Sequence, residues 1–157
     1  MDAERFSQEA MRHEKLLFHV SYTLLHNIGD CADAVQEALA QAWRGRDMLR
    51  DERKFRPWLV RILINTCNGM LRTRARRAEV TLLAEMPAPP EVENWALHDA
   101  LARLEQELRL PLVLHYFEGF SVGEIAGMLG LPAGTVKSRM MRGRKLMKAL
   151  LGEEVVP

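Results

Sequence analysis

Apolar residues recur along this chain at intervals of three and four, and no stretch alternates apolar with polar positions long enough to make a strand. The pattern predicts an all-α fold. Leu16, Leu17, Val20 and Leu24 mark one face of a first helix, which Asn27 and Gly29 are expected to close, leaving Asp30 to cap the next. That next helix sets Ala34, Val35, Ala38, Leu39, Ala42 and Trp43 on one side and Asp33, Gln36, Glu37 and Gln41 on the other. Gly45 and dense charge break the pattern over residues 44–56. Pro57 then stands where a helix can restart, because its missing N–H has no partner to lose in a first turn. Trp58, Leu59, Ile62, Leu63, Thr66, Cys67 and Met70 predict a long helix ending among Arg72, Arg74, Arg76 and Arg77.

Pro87, Pro89 and Pro90, among scattered acids, erase all periodicity. A linker is therefore expected at about residues 79–93, between a domain of residues 1–78 and one of residues 94–157. In the second domain, Leu97, Leu101, Leu104 and Leu108 repeat at helical spacing. An apolar segment from Pro111 to Phe117 follows, closed by Gly119.

Ser121 and Glu124 form a capping-box pair that starts a helix with Val122, Ile125, Ala126 and Leu129 on its apolar face. Gly130-Leu131-Pro132 supplies a tight turn, and another helix opens near Thr135. Two short helices so joined make a helix-turn-helix, here within a domain of four helices. The second helix has Val136, Met140, Gly143, Met147 and Leu150 as its expected core side, with Lys137, Ser138, Met141, Arg142, Arg144 and Lys145 outward.

The formal net charge of +1 conceals blocks of opposite sign. Residues 1–43 carry 3 basic and 7 acidic side chains, residues 44–77 carry 11 and 3, and residues 78–107 carry 1 and 7. Residues 137–148 hold six Lys or Arg and no acid. Two basic blocks in separate domains imply two anionic contacts. Cys31 and Cys67 fall inside predicted helices, outside any CxxC or Cys/His cluster, and read as buried free thiols. His13, His19, His26, His98 and His115 show neither metal spacing nor a nucleophile beside them, so no metal, cofactor or catalytic group is expected. No apolar run reaches the length of a membrane span and the start lacks a leader pattern, so a cytosolic protein is expected.

Read from the residues alone, each site has two readings. The basic helix face is either a DNA-reading surface or a solvated one. Phe55 and Trp58 are either core rings or base-stacking surfaces, and Asn65 either a structural or a recognising amide.

The run Tyr116-Phe-Glu-Gly-Phe-Ser-Val-Gly-Glu-Ile-Ala, with Gly134-Thr-Val-Lys-Ser-Arg139 and Arg142-Gly-Arg-Lys-Leu146, resembles the promoter-reading C-terminal domain of extracytoplasmic-function (ECF) sigma factors. A second stretch resembles their N-terminal domain: Gly29-Asp30, Asp33-Ala-Val-Gln-Glu37 leading to Ala42-Trp43, then Phe55-Arg-Pro-Trp-Leu59, Ile62 and Asn65. The resemblance implies a factor that binds core RNA polymerase and recognises and melts promoter DNA, with no enzymatic activity and with an anti-sigma protein as partner. It implies that Asp33, Gln36, Glu37 and Gln41 dock on the polymerase clamp. It also implies that the loop from Arg50 to Lys54, backed by Phe55, Trp58 and Asn65, receives a base flipped from the melted strand. Stacking contributes roughly 1–3 kcal/mol per base against about 1.4 kcal/mol for a lost duplex step, so capturing a base biases melting without catalysis. In the C-terminal domain, the positions matching upstream-element readers are Lys137, Ser138, Met141 and Arg142, with Thr135, Arg139 and Arg144 at phosphates and Lys145 on the same face.

Three departures from the family pattern stand out. Glu105-Gln106-Glu107 lies where a Leu-Pro is usual, the acidic helix before the docking carboxylates is short, and Gly69 replaces a common Asp or Asn. Two other functions stay open on sequence: a free-standing helix-turn-helix regulator that dimerises through residues 1–77, and a DNA-acting enzyme. The regulator would bind a palindrome unaided. The enzyme would need a nucleophile in a constellation that Ser7 and Ser21 do not have.

Overall fold

A computed structural model of the chain describes residues 1–77 and 95–152. It divides into two compact units, Met1–Ala84 and Glu85–Pro157. The expected linker at 79–93 lies outside the described residues. Among the described residues there is no strand, and no helix is long and apolar enough to cross a membrane.

The first unit holds α1 (Ala3–Arg12), α2 (Glu14–Leu25), α3 (Ile28–Arg44) and α4 (Phe55–Arg76). Helix α1, not anticipated from the sequence, is strongly amphipathic but poor in apolar residues, with Phe6 its one buried side chain; Asp2 starts it by accepting from the Arg5 amide at 2.8 Å. The joint between α2 and α3 differs from expectation. His26 closes α2 in the left-handed region (φ 56°), and Asn27, not Asp30, caps α3 by accepting from the Asp30 amide at 2.9 Å. Gly29 and Asp30 lie in the first turn of α3, where a carboxylate suits the positive end of the helix. Asp30 also pairs with Arg74 of α4.

Cys31, Ala34, Ala38 and Ala42 make a small-residue stripe on α3, all fully buried. Such a stripe lets neighbouring helices approach closely, and Leu59, Val60, Leu63, Ile64 and Cys67 of α4 complete this core with Leu17, Val20 and Leu24 of α2. Burial pushes the Cys31 thiol up and that of Cys67 up to about 12, so both stay protonated and unreactive.

His13 joins α1 to α2, half-buried beside the Phe55 ring, 3.8 Å from Glu9. Burial, then Arg56, lowers its pKa below the ordinary 6.5, outweighing Glu9. The unfolded chain therefore binds this proton more readily. The resulting stability is complete above pH 6.5 and is lost as the pH falls from there through the lower folded value. Urea unfolding of wild type and His13→Gln between pH 7.5 and 5 tests this. The wild type should lose more stability than the variant, and parallel curves would refute it.

The second unit holds α5 (Trp95–Ala102), α6 (Gln106–Leu112), α7 (Val122–Leu129) and α8 (Ala133–Leu151), with a single wide π turn at Val113–Phe117. The leucine repeat is split between two helices. Arg109, only 8% exposed, donates to the carbonyls of Leu104 and Ala102 at 3.1 and 3.3 Å and so satisfies the frayed end of α5. Leu101, Leu104 and Leu108 are all buried regardless. Pro111 sits inside α6, and Gly119 ends the apolar segment at φ 76°.

Candidate nucleic-acid interface

The capping box forms as its residue types require: Ser121 Oγ accepts from the Glu124 amide at 3.1 Å and Glu124 Oε1 from the Ser121 amide at 3.0 Å. Gly130 turns the chain at φ 66°, and α8, with Pro132 at its N-cap, begins at Ala133, two residues ahead of the expected Thr135 start. Val136, Met140, Gly143 and Met147 are buried as the spacing predicts. Leu150 is not; it is 44% exposed. At 19 residues, α8 is much longer than α6 or α7, and its last turn has less to pack against. On α7, Met128 is buried where the pattern favoured Leu129, which is half-buried.

The outward face of α8 holds Lys137, Ser138, Met141, Arg142 and Lys145, all exposed, with Thr135 partly so. Positions 137, 141 and 145, like 138 and 142, are four apart and project from one side. Two arginines are tethered. Arg139 lies 3.8 Å from Glu107 and Arg144 donates to the Tyr116 hydroxyl at 3.1 Å. Tyr116 was legible only as part of a motif, since nothing local links residues 28 apart in sequence. The helix thus presents a row of cations and one 53%-exposed methionine at groove-reading spacing.

In the first unit, Asp33, Gln36, Glu37 and Gln41 are exposed on the face of α3 opposite its alanine stripe. Glu37 accepts from Gln41 at 3.0 Å and lies 3.6 Å from Arg44. The connection to α4 folds as two 3₁₀ turns, Arg46–Met48 and Glu52–Lys54. Within it Asp51 accepts from the Arg53 backbone and guanidinium at 3.0–3.2 Å, and these bonds hold its carboxyl below the ordinary range.

The three residues expected behind this loop part company. Phe55 is 2% exposed, its ring set among Phe6, His13 and Trp58. It offers no face to a base, because the apolar gain of burying it is taken by the core; Trp58 is half-buried and retains an edge. Asn65 is exposed and lines a cleft of about 680 Å³ with Glu37, Gln41, Thr66, Gly69 and the arginines that end α4. The cleft joins the exposed polar face of α3 to the first basic block.

Two family models match the chain in sequence order: sigma-70 region 2 over residues 10–77 and sigma-70 region 4 over residues 94–147. Among curated proteins it is 34% identical to the ECF RNA polymerase sigma factor SigM of Mycobacterium tuberculosis, covering 96% of this chain and 79% of that protein. It is 32% identical to the ECF RNA polymerase sigma-E factor of Escherichia coli K12, covering 74% and 71%. Among solved structures it resembles the sigma factor RpoE bound to the anti-sigma factor NepR from Bartonella quintana. There the TM-score is 0.84 at 26% identity, covering 95% of this chain and 98% of that one. CnrH in complex with the cytosolic domain of CnrY gives a TM-score of 0.71 at 30% identity, covering 96% and 89%.

Proposed function

The chain belongs to the ECF sigma factors of bacterial RNA polymerase, and from that membership we propose how its two units divide the work. The exposed face of α3, with Asp33, Gln36, Glu37 and Gln41, docks on core polymerase. The outward residues of α8 enter the major groove of the upstream promoter element. Lys137, Ser138, Met141 and Arg142 read base edges there, while Thr135, Arg139, Arg144 and Lys145 meet phosphates and fix register.

The loop from Arg50 to Lys54, with the edge of Trp58, takes an unpaired base of the downstream element. Phe55 supports that loop from the core. Asn65, across the cleft from Glu37, lies nearer the docking face and contributes to strand path rather than to the base pocket. This role asks for no catalytic group and no cofactor, and it places the protein with polymerase in the cytosol.

The observation that carries the reading is the exposure of Lys137, Ser138, Met141 and Arg142 on a helix whose opposite side is buried. An anti-sigma protein is the expected inhibitor, as RpoE and CnrH are each held by another protein in their complexes. A free-standing regulator is not favoured, because both sigma-70 regions match and the relatives are polymerase factors.

The test is transcription reconstituted from core polymerase, this chain and a genomic DNA library. Discrete start sites sharing two spaced elements are expected, with weak duplex binding by the chain alone. Absence of any association with core polymerase would end the proposal.

A further inference from the structure

The connection between α3 and α4 does little to hold its own shape. Neither 3₁₀ turn buries a side chain, and the Asp51–Arg53 bonds brace only neighbours within it. Its outside ties converge on the first six residues, through Arg5 and Phe6 of α1 and through the Met1 amino group, which lies 3.9 Å from Glu52. Arg5 donates from Nε to Glu52 Oε2 at 3.0 Å, fastening the second turn. Phe6, the buried residue of α1, sets its ring edge-on to Trp43 at 5.3 Å and to Phe55 at 5.7 Å.

Trp43 and Phe55 flank the loop on either side, so one ring clamps both of its ends. The first turn is tied to the same cluster: Arg46 stacks 3.6 Å over the Trp43 ring and donates to the Trp43 carbonyl at 2.7 Å. Arg5 and Phe6 both precede the segment matched by the region 2 family model, which begins at residue 10.

We propose that α1 is a strap setting the shape of the base-receiving loop, with Arg5 and Phe6 as positioning residues for discrimination at the downstream promoter element. The proposal rests on the promoter-melting role given above. An exposed ion pair adds little to folding stability, and both Arg5 and Glu52 are about half exposed. What the pair adds is a fixed distance. It holds Glu52 toward α1, leaving Arg50 and Lys54 as exposed cations of the loop beside Arg53, which is exposed but paired with Asp51. A base pocket a fraction of an ångström too loose loses selectivity before it loses affinity.

The test uses full-length chain with core polymerase and compares Arg5→Glu, Glu52→Arg, the double swap, and Phe6→Leu, which keeps most of the apolar volume but removes the ring. Two quantities are read: affinity for core polymerase, and the ratio of initiation at the chain's own promoter to initiation at promoters with single changes in the downstream element. Each single charge variant should lower that ratio by about three- to fivefold at unchanged core affinity, and the double swap should recover part of it, since the Met1 ammonium near position 52 opposes an arginine there. Phe6→Leu should shift the ratio the same way. Unchanged ratios, a double swap no better than its parents, or core affinity falling in step with the ratio would each overturn the strap. A wild-type chain that fails to initiate at all would instead remove the sigma-factor reading beneath it.

Discussion

Arg142→Ala is expected to reduce initiation at the chain's own promoter by about 5- to 150-fold while leaving core-polymerase affinity unchanged. A well-placed side chain to base edges is worth about 1–3 kcal/mol of discrimination, which is that factor. Arg142 is the longest exposed donor among the four positions proposed to face bases, one helical turn beyond Ser138 and on the same side. Its guanidinium has the fork geometry that pairs with a purine edge, which the ammonium of Lys137 lacks.

The decisive measurement is made over a panel of upstream-element variants. Loss of Arg142 should flatten the preference at one base position. Arg144→Ala should instead weaken all sequences nearly equally, since Arg144 is anchored by Tyr116 and proposed to meet phosphate. A uniform loss from Arg142→Ala, or none, would place that residue on the backbone or off the DNA. Thermal melting of the variant should match wild type because its side chain packs against nothing in the core.

Most of the second unit was legible because its signals are local. A capping box acts across three residues, and Gly130 acts through its own φ, so Ser121 and Glu124 announce α7 before any tertiary contact exists. What failed to show was what distance decides. Arg109 looks like a surface residue until the break between α5 and α6 leaves carbonyls that need a donor. Leu150 fits the core period yet lies past the packed part of α8.

In the first unit the exposed polar face of α3 followed from helical spacing alone, whereas α1 was not anticipated. Its one buried ring, Phe6, has meaning only beside Trp43 and Phe55. For the same reason Phe55 could not be divided between core and site by sequence. Its motif position placed it behind the loop, and the three rings around it account for its burial there.

Gly143→Val is expected to destabilise the second unit by about 3 kcal/mol or more, and Gly143→Ala by up to about 2 kcal/mol, against the usual preference of helices for alanine. A Cβ at Gly143 would stand 2.7 Å from Leu112 Cδ1 and 3.4 Å from the Leu108 carbonyl oxygen. Leu112 is itself buried, so its methyl swings only into occupied space, and the carbonyl moves only with α6. Overpacking costs about 1–3 kcal/mol, more than the ~1 kcal/mol that alanine gains over glycine inside a helix, and valine adds bulk on a branched Cβ. Gly127 in α7 is the control. Nothing lies within 4 Å of its would-be Cβ, and Gly127→Ala should therefore stabilise the same unit. Thermal unfolding of the full chain reads both, at about 4–8 °C per kcal/mol for a unit of this size. Gly143→Ala melting above wild type would mean that α6 yields freely. If it does not yield, the close approach of α6 to α8 is what aims Arg142, one residue away, and Gly143→Val should lose promoter recognition while the first unit still binds core polymerase.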